Sequence, residues 1–149
     1  MDEIAELRQE LIIDHSRRPR NFGELSGHNC HAHGDNPLCG DSFEIELIRS
    51  GDLIEDVRFH GVGCGMSTAS ASVMTDAIKG QTVEEAMAMF ARFRALVLDR
   101  SDLSEVDAFD RIAVMATGAR APMRAKCLTL AWHTMKAALV GEDGTVSTE

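Results

Sequence analysis

No run in the 149-residue chain approaches the roughly 18 consecutive apolar residues of a membrane-spanning helix. No apolar stretch follows the charged opening MDEIAELRQE, so no secretory signal is expected and the chain reads as cytoplasmic. A basic surplus is missing too: 15 Lys and Arg stand against 24 Asp and Glu, net −9. That balance excludes a general nucleic-acid or anionic-membrane surface and permits a basic protein partner. Internal repeats and long linkers are absent. One domain over residues 1–149 is therefore expected, with residues 142–149 as a loose tail. A chain of this size buries about 68–70% of its unfolded surface, so it does not need a disulfide to fold. The cysteines, Cys30, Cys39, Cys64 and Cys127, form no CxxC pair. In a reducing compartment such thiols are metal ligands or redox groups more often than disulfides.

The periodicity changes along the chain. Ile4, Leu7, Leu11 and Ile12 recur at helical spacing, and Pro19 and Gly23 end that helix. GHNCHAHGDNP has little apolar content and predicts at best a short edge strand. Phe43, Ile45 and Leu47 then alternate with Glu44 and Glu46, RSGDL makes a turn, and Val57 and Phe59 alternate with Asp56, Arg58 and His60. This is a β-hairpin. Pairing Glu46 with Arg58 and Glu44 with His60 keeps the apolar faces together and avoids opposing Glu46 with Asp56. CGMSTASASVMTDAIKG follows as a helix closed by Gly80, its Ala69–Ser72 run small enough for close packing. TVEEAMAMFARFRALVL opens with a Thr82/Glu85 capping box and has an inward stripe of Ala86, Phe90, Phe93 and Val97. SEVDAFDRIAVMATG predicts a helix with Val106, Phe109, Ile112 and Ala113 inward. Pro122 starts a last helix that runs to about Val140.

The hairpin has a chemical consequence. Cys39 precedes its first strand and Cys64 follows its second, so antiparallel pairing brings them close. Along extended chain, Cys39 and Asp41 point the same way. Cys64 stands at one helix N-terminus and Cys127 in the first turns of another, so both thiols are expected to ionise more readily than a free cysteine. If the last helix starts over the hairpin ends, Cys39, Asp41, Cys64 and Cys127 meet. Three thiolates and a carboxylate suit tetrahedral Zn²⁺. Such a site would be negative, and Arg124 and Lys126 beside Cys127 would offset part of that charge. Spacing alone leaves a second reading open, in which Cys64 and Cys127 are small buried apolar residues. Cys39, beside Gly40 and Asp41, makes a poor core residue. The CHAH stretch, Cys30 to His33, reads as a polar edge strand rather than a metal site. His15, His28, His60 and His133 read as surface residues, and Trp132 as a packing residue.

Four stretches, HSRRPRNFGEL, NPLCGD, GVGCGMSTASASVMTDAIKG and RAKCLTLAW, resemble the iron–sulfur cluster assembly family of the IscU scaffolds, the NifU N-terminal domain and SufU. With the hairpin between them they cover most of the chain in family order. Two departures favour the SufU branch. Lys126 stands where the scaffolds carry His before the last cysteine, and ATGARAPMRAK lacks their Leu-Pro-Pro-Val-Lys motif. The span between Cys64 and Cys127 is also long. The resemblance implies an α+β fold: a small antiparallel sheet of about three strands, with five or so helices packed mainly on one face. It implies Cys39, Asp41, Cys64 and Cys127 as zinc ligands and Cys39 as acceptor of persulfide sulfur. Arg124 and Lys126 would serve partner contact or charge compensation. The implied partners are a SufS-type cysteine desulfurase and downstream Suf assembly proteins. The alternative is a scaffold that assembles a [2Fe–2S] cluster on the same ligands.

Overall fold

The computed structural model describes residues 3–37, 39–98, 110–118, 122–141 and 145–147. Helix α1 (Glu3–Arg17) leads into three antiparallel strands, β1 (Cys30–Asn36), β2 (Asp41–Ser50) and β3 (Leu53–Val62). Helices α2 (Gly65–Ile78), α3 (Val83–Leu98), α4 (Arg111–Ala116) and α5 (Pro122–Val140) follow, and then a two-residue strand, β4 (Thr145–Val146). The sheet order is β3-β2-β1-β4. The α+β architecture is therefore the expected one: among the described residues, a three-stranded antiparallel sheet with five helices, extended by one short parallel strand. No described helix is long and apolar enough to cross a membrane.

The hairpin adopts the register that the charges favour: Glu46 pairs with Arg58 and Glu44 with His60, up to a bulge at Ile48/Arg49. One face of the sheet is apolar. Phe43, Ile45, Leu47, Val57 and Phe59 are all buried, and they meet α2 and α5 in a single core. The α3 stripe of Ala86, Phe90, Phe93 and Val97 is buried as its spacing predicts. Thr82 and Glu85 cap that helix reciprocally, at 3.0 and 3.1 Å. Trp132 is buried and stacks on Phe93 at 4.9 Å between ring centres, a packing residue as expected.

Several expectations need correction. The GHNCHAHGDNP stretch forms a seven-residue strand rather than a short edge strand, paired along its whole length with β2. Its core face carries Ala32, Gly34 and Asn36, small enough for α5 to lie directly on it. The tail does not run free at Thr145–Val146, which pairs with His33 and Gly34. His15 is buried rather than exposed. Its Nδ1 lies 2.7 Å from the Ser72 hydroxyl, and desolvation pulls its pKa below the ordinary histidine value. His133 is half-buried against the edge of the Phe90 ring. His60 is half-buried, 3.5 Å from Glu46, whereas His28 is exposed as expected, 3.3 Å from the same carboxylate. Of the residues expected inward on the fourth helix, Ala113 is buried and Ile112 half-buried; Val106 and Phe109 lie outside the described residues.

Candidate metal centre

The β1–β2 turn, the end of β3 and the start of α5 converge on one corner. At the turn, the Asn36 carbonyl accepts hydrogen bonds from the backbone N–H groups of Cys39 and Gly40, at 3.0 and 2.9 Å. Gly40 has φ +75°, a conformation that costs a side-chain-bearing residue and frees glycine. Cys39 is held half-buried on this turn. Asp41 opens β2 on the core side and is fully buried. Its Oδ1 accepts the Cys64 backbone N–H at 2.9 Å, and its Oδ2 accepts the Ser67 hydroxyl at 2.7 Å.

Cys64 is the N-cap of α2. Its sulfur accepts the Ser67 backbone N–H and lies 3.1 Å from the Ser67 hydroxyl. It is exposed. Cys127 sits in the second turn of α5, buried, and its thiol points to the Cys39 sulfur at 3.4 Å. One donor atom each from Cys39, Asp41 and Cys127 lie within 4.8 Å of one another. Cys64 borders this trio through Ser67, which touches both its sulfur and the Asp41 carboxylate.

The donor set fits a zinc ion. Two sulfurs bound at about 2.3 Å on a tetrahedral centre stand about 3.8 Å apart, so the 3.4 Å between Cys39 and Cys127 needs an adjustment of a few tenths of an ångström. Without a cation, burial raises the Cys127 pKa well above the ordinary thiol value, reinforced by the Cys39 thiol and the charges of Cys64 and Asp41. This overturns the expectation that its helix lowers it. The helix field fades within the first turn, and Cys127 lies beyond it.

The sequence missed Ser67, which ties Asp41 to α2. The pattern Cys-x-x-Ser at a helix start is that of a capping residue with a hydroxyl one turn on, and would have pointed to it. Arg124 is exposed on the first turns of α5 and Lys126 is half-buried there. In CHAH, Cys30 lies on the core side of β1 while His31 and His33 face the other way, so the three cannot converge. His33 instead contacts Glu44 at 2.7 Å.

The sequence pattern described as "NifU-like N terminal domain" matches residues 7–143. The zinc-dependent sulfurtransferase SufU of Bacillus subtilis (strain 168) is 35% identical over 143 residues, 93% of this chain and 92% of that protein. The iron–sulfur cluster assembly scaffold protein IscU of Streptococcus pyogenes serotype M1 is 36% identical over 139 residues, 93% of this chain and 86% of that one. Among solved structures, one described as an iron–sulfur cluster assembly scaffold protein for the SUF system (FiSufU), from Fervidobacterium islandicum AW-1, superposes with a TM-score of 0.78 at 31% identity, over 90% of this chain and 97% of that chain. Pattern, relatives and backbone agree over nearly the whole length, and the chain belongs to the NifU-like N-terminal domain family.

Proposed function

We propose that the protein is a zinc-dependent sulfur carrier, which accepts sulfur from the persulfide of a SufS-type cysteine desulfurase and passes it to downstream Suf proteins for iron–sulfur cluster assembly. The observation that carries this reading is the position of Cys39. Asp41 is buried at a strand start and Cys127 is buried within a helix; Cys39 alone of the trio sits on a turn and reaches solvent. In this reading Cys39, Asp41, Cys64 and Cys127 hold the metal, with Cys64 closing in from the α2 N-cap. Zinc bound there supplies a positive charge that keeps the thiolates ionised at neutral pH.

The chain's own part is nucleophilic. The Cys39 thiolate attacks the outer sulfur of the desulfurase persulfide. A new S–S bond forms on Cys39, the donor's S–S bond breaks, and its electron pair leaves on the desulfurase thiolate. The transferred sulfur keeps its proton, and no outside oxidant is consumed. Arg124 and Lys126 would offset the negative charge of the cluster, and exposed Arg124 also suits contact with the partner.

The scaffold reading has the Streptococcus relative in its favour, at an identity that does not separate the two. Lys126, in the scaffolds' histidine position, argues against it, because a cluster needs a full ligand set. Metal analysis with a visible spectrum tests the choice. The expected result is a single zinc per chain and a colourless protein. Brown protein with iron and sulfide in near-stoichiometric amounts after anaerobic purification would establish the scaffold instead.

Cys30 should be dispensable. It opens β1 opposite Leu47, while the centre lies beyond the far end of that strand, about 20 Å away at 3.4 Å per residue. Cys30→Ser is expected to keep its zinc and its sulfur transfer. Zinc loss in that variant, measured by elemental analysis, would return CHAH to the list of ligands.

A further inference from the structure

Asn36 is fully buried, and neither Nδ2 nor Oδ1 of its side chain has a hydrogen-bond partner among the described residues. A buried amide left unpaired is costly, and folded proteins rarely keep one without a use. Its surroundings indicate that use. Ala32, Gly34 and Asn36 share the core face of β1, and Asp41 stands directly across from Asn36 in register, also buried. Side chains paired in this way have Cβ atoms about 4.5–5.5 Å apart.

Helix α5 closes the third side. Its far end, at Ala138 and Leu139, lies near Cys30 and Ala32. At Gly34 it crosses so closely that a Cβ there would overlap the Thr134 hydroxyl and come within 3.2 Å of Leu130 Cδ1. The helix thus runs antiparallel to β1. Two further strand residues advance about 6.8 Å, or between four and five helical residues at 1.5 Å each. That step sets Asn36 level with the turn of α5 that holds Cys127. The other polar groups of this corner are engaged: both Asp41 oxygens and the Ser67 hydroxyl with each other and Cys64, and the Ser70 hydroxyl with the Leu128 carbonyl.

We infer that Asn36 is a positioning residue of the metal centre, its side-chain N–H donating to the sulfur of Cys127 or Cys39 in the metal-loaded protein. A thiol is a weak acceptor, whereas a metal-bound cysteine sulfur is a thiolate and accepts well. Such outer contacts orient a ligand and tune its affinity. The inference rests on the metal-binding reading above and assigns a residue that the four-ligand pattern leaves out.

The test is Asn36→Leu, of similar volume and without polar atoms, with Asn36→Ala as the second variant should the first not fold. Three measurements are made on the full chain. These are the melting temperature after chelator treatment, Zn²⁺ affinity by competition with a chromophoric chelator, and the sulfur-to-cobalt charge-transfer band of the Co²⁺-loaded protein. Expected are an unchanged or raised metal-free melting temperature, a Zn²⁺ affinity about 10–100-fold weaker, and a shifted band. A lowered metal-free melting temperature with unchanged affinity would make Asn36 a purely structural amide and overturn the inference. If melting temperature and affinity both fall, the band at saturating Co²⁺ decides: a shift supports the contact to sulfur, and an unchanged band overturns it. If the unaltered protein binds neither Zn²⁺ nor Co²⁺, the metal reading itself fails; if it binds both and the variants bind equally well, only the role of Asn36 fails.

Discussion

Cys39→Ala is expected to reduce desulfurase stimulation to the background of the desulfurase alone, even where the remaining three donors retain zinc. The expectation follows from where each thiol is held. Cys127 is buried on α5, its thiol 3.4 Å from the Cys39 sulfur. Cys64 is exposed, but its sulfur caps α2 by accepting the Ser67 N–H, and its backbone is pinned to Asp41. Cys39 is carried on a glycine-containing turn rather than in a helix or strand, and a turn can move its sulfur at less structural cost than a helix can. Asp41, Cys64 and Cys127 remain as donors in the variant. In the unaltered protein, incubation with desulfurase and cysteine should add about 32 Da, the mass of one sulfur atom, to the Cys39 peptide. The exposure of Cys64 makes it the rival acceptor, and added mass confined to its peptide would move the assignment there. Full stimulation by Cys39→Ala would mean that the protein activates the desulfurase without accepting sulfur.

The parts of this corner that were legible in the sequence are those set by local rules. Strict alternation and opposed charges define the β2–β3 register, and that register alone returns the chain from Cys39 to Cys64. The two-residue period puts Asp41 on the same side as Cys39. The parts that stayed hidden depend on neighbours distant in sequence. β1 does not read as a core strand because its inward residues are Ala32, Gly34 and Asn36. They are small or polar because α5 presses so near that Thr134 fills the space over Gly34. His15 looks like a surface residue until Ser72, on another helix, supplies its partner. The thiol of Cys127 departs from its helix-start expectation for a related reason. A helix start lowers a thiol pKa, but burial acts the other way, and burial is a property of the packed corner. Ser67 links these levels. As an N3 residue it belongs to the α2 cap, and only the fold reveals that its hydroxyl also serves Asp41.

Asp41→Ala should lose the metal and should also destabilise the metal-free fold, because this carboxylate has two functions. It is a fully buried anion whose oxygens accept one bond each from the Cys64 N–H and the Ser67 hydroxyl, and so it fastens the start of α2 to the start of β2. A hydrogen bond to a charged group contributes about 1.5–3 kcal/mol. Removing both bonds is partly offset by relief from holding a buried charge beside the cysteines, so the expected net loss is about 1–3 kcal/mol. For a domain of this size that is a fall of about 3–10 °C in melting temperature. In the presence of Zn²⁺ the gap to the unaltered protein should widen, because only the latter gains stability from bound metal. Asp41→Asn separates the two functions. Its single carbonyl oxygen still accepts one of the two bonds, so its metal-free stability should lie between that of the Ala variant and the unaltered protein. Its zinc content should nevertheless fall as far as in Asp41→Ala, because a neutral amide is a poor zinc ligand. Thermal melts with and without Zn²⁺, together with zinc stoichiometry, read both effects. Unchanged zinc in Asp41→Ala would mean that the three cysteines suffice and that Asp41 serves only to fasten α2.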